Sequence, residues 1–218
     1  MVNGTCLPIL SLYINREEYN LKTLALIGSP RKHGNTDIMA DEVLRGVSDS
    51  NSTICKLYLD DYTIRPIAET CDIIPERQDI RSDDDFPKLL EVFLDSDIII
   101  LSTPVYWQGL SAQLKCFLDR MSSYWRRPPY AERFDGKGYI VLCAYGRPEE
   151  IHGTWVTEPT KLTVGVLRGY YLGDVCAPNT FQKGRVRQYP DVLEACYKIG
   201  HEAPEKLSML RKQNVKAW

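Results

Sequence analysis

Five short apolar runs, at residues 23–27, 54–59, 98–101, 139–144 and 171–176, are nearly continuous rather than alternating. Strands covered on both faces read this way, because neither face meets water. Between the runs the apolar residues fall into helical spacing. Met39, Val43 and Val47 share one face, and Phe86, Leu89, Leu90, Phe93 and Leu94 follow the i, i+3, i+4, i+7, i+8 rule. Leu110, Leu114, Phe117 and Met121 make a third stripe, Leu162 and Val166 suggest a fourth, and Val192, Ala195, Cys196 and Ile199 mark a fifth. Pro87, Pro159 and Pro190 stand near the starts of three of these, where a missing N–H costs little. Strands alternating with helices predict an α/β fold: a doubly wound five-stranded parallel sheet of strand order 2-1-3-4-5 in one domain, residues 22–218. Residues 1–21 form an amino-terminal extension outside the pattern, as does the Pro- and Asp-bearing stretch 60–85.

Composition excludes several classes. The 218 residues suffice for one sizeable α/β domain and not for two. Lys and Arg total 27 against 29 for Asp and Glu, so there is no basic excess to bind nucleic acid or an anionic membrane. An anionic ligand would have to be held by local design. No apolar run approaches the roughly 20 residues of a membrane span. The early "LPILSLYI" lacks the basic flank and cleavage site of a signal peptide, so a cytoplasmic protein is expected. Cys6, Cys55, Cys71, Cys116, Cys143, Cys176 and Cys196 are scattered with no C-x-x-C pair, which reads as reduced, mostly buried thiols; a metal site or redox pair is the alternative.

The first strand ends in the turn "GSPRKHGNT", after which a helix begins. In a sheet of this kind ligands sit beyond the carboxyl ends of the strands, where strand order reverses, and this turn lies there. Gly28 permits a sharp turn, Ser29 and Thr36 offer hydroxyls, and Gly34 lets backbone approach a ligand. Asn35 and Thr36 stand at the helix start, where free N–H groups and the positive dipole end favour an anion, and Arg31 and Lys32 add charge. A P-loop would need Lys and Ser or Thr after the last glycine, and a dinucleotide fingerprint would need three glycines. A single terminal phosphate suits the turn better than either. The bland alternative is an ordinary strand-to-helix turn.

Two more loops meet the first at the same end of the sheet. After the third strand comes "STPVYWQGLSAQLKCFLDR", with Pro104 to Trp107 as a stiff aromatic strand exit and Gly109 and Ser111 opening a helix; after the fourth comes "CAYGRPEE". Phosphate at one turn and a flat aromatic ligand between the other two describe a flavin mononucleotide. "GSPRKHGNT", "PVYWQGLSAQLKCFLDR" and "FDGKGYIVLCAYG" resemble the three signature regions of the NADPH-dependent FMN reductase family, flavodoxin-like proteins that include the iron–sulfur flavoproteins. The resemblance runs from residue 22 to residue 177. It implies that Ser29, Arg31, Gly34, Asn35 and Thr36 grip the FMN phosphate. It implies further that Pro104, Val105, Tyr106 and Trp107 border the ribityl chain and ring, and that Tyr145, Gly146 and Arg147 cover the other flank. Iron–sulfur relatives carry a compact cysteine cluster in the region matching "IRPIAETCDIIPE", where only Cys71 remains. One thiol cannot hold a cluster that takes four, so that cofactor is not carried over.

The resemblance implies an FMN-dependent oxidoreductase, in which NADPH or NADH gives hydride to the flavin and a small acceptor (a quinone, a nitro or azo compound, or free flavin) receives the electrons. Arg147 is the candidate to stabilise negative charge around N1 and O2 of the ring, its alternative being a solvated surface base. Tyr106 and Trp107 are ring-side contacts or else core anchors. His33 lies in the turn as a helix cap, His152 and His201 read as surface residues, and no cluster has metal spacing. Asp83 to Asp85 favour the next helix start through its dipole, the alternative being that their loop borders the ligand. Arg126 and Arg127 would receive the extra phosphate of NADPH, unless they are simply exposed. Two other readings are a one-electron carrier of the flavodoxin type and a non-enzymatic flavin-binding sensor. The near-neutral charge opposes the carrier, which docks through acidic surfaces. A homodimer is expected from the resemblance and from Leu10, Leu12, Tyr13 and Ile14 in the extension.

Overall fold

The computed structural model describes residues 21–50, 52–67 and 83–213. Strand and helix alternate as β1 (Lys22–Ile27), α1 (Asn35–Ser48), β2 (Thr53–Tyr58), α2 (Phe86–Leu94), β3 (Ile98–Pro104), α3 (Ala112–Met121), β4 (Gly138–Ala144), α4 (Ile151–Val166), β5 (Tyr170–Ala177) and α5 (Pro190–Gln213). The strands form one parallel sheet in the order β2-β1-β3-β4-β5, with the reversal between β1 and β3. In β1, β3 and β4 the near-continuous apolar runs have the expected cause, whereas β2 at the sheet edge is exposed or half-buried along its whole length. Ala25, Ile27, Ile98 and Ile100 pack on Met39, Val43, Cys196 and Leu207 from α1 and α5. Leu24, Leu26, Ile99 and Leu101 face the other way, onto Phe86, Phe93 and Phe117 from α2 and α3. The extension is outside the described residues up to residue 20, with its apolar set and Cys6, and so is Cys71.

Several elements depart from the pattern for identifiable reasons. β3 continues through Ser102 and Thr103 to Pro104 because these hydroxyls are buried but bonded. The Ser102 hydroxyl donates to the Thr36 carbonyl at 2.8 Å, and Thr103 Oγ1 accepts from the Ser111 N–H at 3.0 Å. Leu59 is a buried turn residue rather than the end of β2. The stripe of Leu162 and Val166 faces solvent, at 74% and 49% exposure. α4 instead turns Gly153, Val156, Thr157, Thr160 and Val164 inward. Thr160 can be buried because its hydroxyl donates to the Val156 carbonyl, which hides its polarity from the sheet. Pro159 lies inside α4, not near its start, and Ala195 of α5 is exposed.

The three aspartates before α2 do more than complement its dipole. Asp84 forms an ion pair with Arg120 of α3, both side chains wholly buried, and also accepts from the N–H groups of Arg65 and Phe86. Asp85 accepts from the Thr63 N–H at 2.9 Å, and Asp83 pairs with Arg65. The run therefore ties the chain after β2 to α2 and α3.

Candidate functional site

Beyond the carboxyl ends of β1, β3 and β4 lies a cleft of about 630 Å³ including its open mouth. The turn after β1 supplies Ser29, Arg31, Gly34, Asn35 and Thr36; the exit of β3 supplies Pro104, Val105 and Tyr106; the end of β4 supplies Ala144, Tyr145 and Gly146. The three loops picked out in the sequence thus converge. Trp107 and Arg147 do not line the cleft. Trp107 is 97% exposed at the tip of a two-residue turn, where it and Gln108 both take left-handed φ angles of 49° and 60°. Tyr106 and Gly109 close that turn with hydrogen bonds in both directions at 3.0 Å. Trp107 is therefore not a core anchor.

Close packing fixes the first turn. An added Cβ on Gly28 would stand 2.7 Å from Ser111 Oγ, and one on Gly34 would stand 2.6 Å from the Arg31 carbonyl, which accepts the Gly34 N–H. The side chain of buried Asp37 reaches back to accept the His33 N–H at 2.5 Å, so the backbone of His33 and not its imidazole ties the turn to α1. Asp37 is neutralised by Lys56 and bonded by the Tyr58 hydroxyl. Burial alone would push the Lys56 ammonium down, but its bonds to Asp37, Asp41 and Tyr58 outweigh that and hold it above the usual lysine range. With Gly34 at the cap position there is no side-chain cap. The N–H groups of Asn35, Thr36 and Asp37 consequently have no acceptor among the described residues.

Side chains complete this anion cradle. Ser29 Oγ accepts the Arg31 N–H at 3.1 Å, which leaves its own proton to donate outward. Thr36 is buried, and its hydroxyl has no hydrogen bond among the described residues. The Asn35 amide, expected at a phosphate, is occupied: it donates to the carbonyls of Thr180 at 2.6 Å and Gln182 at 2.9 Å and accepts the Val186 N–H at 3.1 Å. Only its backbone N–H faces a ligand. These orphan donors, with Arg31 and Lys183 in the lining, fit a phosphate, and the apolar walls of Pro104, Val105 and Tyr145 fit a flat ring. Burial and the nearby thiols push the Tyr145 hydroxyl up to about 12, so it stays protonated at neutral pH.

Residues 21–182 match the family model described as NADPH-dependent FMN reductase. The chain belongs to that family. A putative NAD(P)H-dependent FMN-containing oxidoreductase of Bacillus subtilis is 33% identical over 161 residues, 71% of this chain and 85% of the relative. An iron–sulfur flavoprotein of Archaeoglobus fulgidus is 30% identical over 152 residues, 66% and 68% of the two chains. An FMN-dependent NADH-azoreductase from Bacillus anthracis, solved in complex with FMN, shares the fold with a TM-score of 0.60 at 16% identity, covering 85% of this chain and 99% of that one. This FMN reductase family member is accordingly an NAD(P)H-dependent oxidoreductase with FMN as its cofactor.

Thr180, Phe181 and Lys183, in the loop after β5, also line the cleft and were absent from the sequence reading. The signal was present as turn chemistry. Asn179 and Gly184 bracket them in left-handed conformation, as a Pro-Asn and Lys-Gly stretch after a strand allows. Arg126 stacks on Trp125 and lines a different cleft with Asp135 and Arg168, which lead into β4 and β5. It therefore sits at the opposite end of the strands. His152 packs edge-on against Trp155, and His201 stacks on Tyr197.

Proposed function

We propose that the cleft binds FMN with its phosphate on the first turn, and that the protein passes electrons from NADPH or NADH to a small aromatic acceptor: a quinone, a nitro or azo compound, or free flavin. The observation that carries the reading is the set of orphan N–H groups at Asn35, Thr36 and Asp37, beside the Ser29 and Thr36 hydroxyls. Bound FMN supplies the redox chemistry by accepting hydride from a nicotinamide. The chain supplies position and charge. Arg31 and Lys183 offset the phosphate charge, Val105 and Tyr145 hold the ring away from water, and the Gly146 N–H, which has no acceptor among the described residues, is free to bond a ring heteroatom. Exposed Tyr106 and Phe181, both in the lining, give the mouth an apolar aromatic rim. Such a rim favours a flat organic acceptor over a protein partner, which would dock on charge.

The visible spectrum of the purified protein, recorded before and after anaerobic NADPH or NADH, tests this reading. Flavin absorption that bleaches on mixing is expected. A flavin that neither nicotinamide reduces would replace the reading with the carrier or the sensor. A cytoplasmic setting is proposed from the seven scattered cysteines with no C-x-x-C pair, and among the described residues no helix is long and apolar enough to cross a membrane. A homodimer is proposed with the exposed stripe of α4, Ile151, Trp155, Leu162 and Val166, as its contact.

A further inference from the structure

Cys143 of β4 and Cys176 of β5 lie 33 residues apart in sequence and face each other as register partners in the sheet. Their sulfurs are 3.0 Å apart. A disulfide needs Cα atoms about 4.4–6.8 Å apart, and neighbouring strands stand about 4.8 Å apart, so the backbone already meets the requirement. Closing the bond moves the sulfurs together by about 1 Å. The packing leaves them room: a Cβ on Gly153 of α4 would stand 2.7 Å from Cys176 Sγ, and no side chain is there. Cys143 is fully buried among Val141, Tyr145 and Val156, whereas Cys176 is partly exposed. Asp174 has an oxygen 3.9 Å from Cys176 Sγ, and its other oxygen accepts the Tyr171 hydroxyl.

We propose that Cys143 and Cys176 form a dithiol site that hydrogen peroxide oxidises to a cross-strand disulfide, directly behind the wall of the cleft. Cys176, the reachable sulfur, attacks the peroxide O–O bond; an S–O bond forms, the O–O bond breaks, and one water leaves with the Cys176 proton. The Cys143 sulfur then displaces the hydroxyl from the Cys176 sulfenic acid. The S–S bond forms, and a second water carries off the Cys143 proton. Two thiols lose two electrons, and the peroxide gains them. The hydrogen bond it donates to Cys176, burial and the Asp174 carboxylate hold the Cys143 thiol far above its ordinary range, so Cys143 stays protonated at rest and Cys176 is the first to react. Ala144 and Ala177 follow the two cysteines, and Ala144 and Tyr145 line the cleft, so the bond would fasten together the strand ends that carry its wall.

Peptide mapping of the full-length protein as purified tests this. After treatment with hydrogen peroxide, the protein is denatured, alkylated and digested with trypsin. Residues 138–161 and 169–183 are tryptic peptides that each carry one cysteine. The expected result is loss of both alkylated peptides and appearance of one linked species, lighter than their sum by two hydrogen atoms and reversed by dithiothreitol. In Cys143→Ser the same treatment is expected to carry Cys176 on to the sulfinic acid, because the resolving thiol is gone. Recovery of both wild-type peptides alkylated, of Cys176 as sulfinic acid in the wild type, or of either cysteine linked elsewhere overturns the proposal. The wild-type measurement stands whether or not the variant folds.

Discussion

Thr36 and Asn35 are adjacent at the start of α1, and both are hydrogen-bonding residues, yet the structure assigns them opposite duties. The Thr36 hydroxyl lines the cleft uncommitted, so with the phosphate on the first turn as proposed, Thr36→Val is expected to remove one charge-assisted bond, worth roughly 1.5 to 3 kcal/mol or about 10- to 150-fold in affinity. Isothermal titration is expected to show that loss for FMN and almost none for riboflavin, which lacks the phosphate; equal losses would mean the phosphate lies elsewhere. Asn35→Ala should weaken both ligands together, because it releases the loop of Thr180 and Gln182 that the amide holds. Sequence reasoning found both positions. It could not apportion their roles, since the partners of Asn35 lie some 145 residues away in the chain.

At the scale of elements, α5 is the part least legible beforehand and among the most constrained. An added Cβ on Gly200 would stand 2.1 Å from the Val43 carbonyl, and one on Gly46 would stand 2.2 Å from the Tyr197 carbonyl, so α1 and α5 cross backbone to backbone. Helix propensity alone predicts that Gly200→Ala stabilises by about 1 kcal/mol. Overpacking against an unyielding backbone opposes it, and a net loss of about 2 kcal/mol or more is expected in urea unfolding. Lys137, ahead of β4, is buried and donates to the carbonyls of Leu94 and Ser96 at 2.7 and 2.6 Å, capping the end of α2. Burial pushes its ammonium down to about 8 from the ordinary 10.5. Between those values the unfolded chain binds the proton that the folded protein releases. Stability relative to Lys137→Met should therefore rise by about 3 kcal/mol as pH climbs from about 8 to 10.5, and hold level below that window. Paired urea melts of the two proteins across that range check the slope.

For the molecule as a whole, the inversion of α4 matters most. A stripe that periodicity assigned to the core instead leaves Ile151, Trp155, Leu162 and Val166 on one outer face. Light scattering at micromolar concentration is expected to give twice the 25.0 kDa of one chain. Leu162→Glu with Val166→Glu should return the mass to that of a monomer without lowering monomer stability, because neither side chain is buried. A wild-type mass equal to one chain would end the dimer reading.

The amino-acid sequence by itself determined the five strands, their parallel order and the three loops that meet at one end, because the inner strands β1, β3 and β4, buried on both faces, must be apolar throughout and a ligand turn must carry glycine and hydroxyls. Those are local signals, written in consecutive residues. Only the tertiary structure decided which face of α4 points inward, since hydroxyls of threonine satisfied on their own helix pass for polar surface in the sequence. It alone brought the loop after β5 into the cleft, turned Trp107 out of it, and set Cys143 against Cys176. Each of these depends on contacts between distant segments, and no spacing along the chain records them.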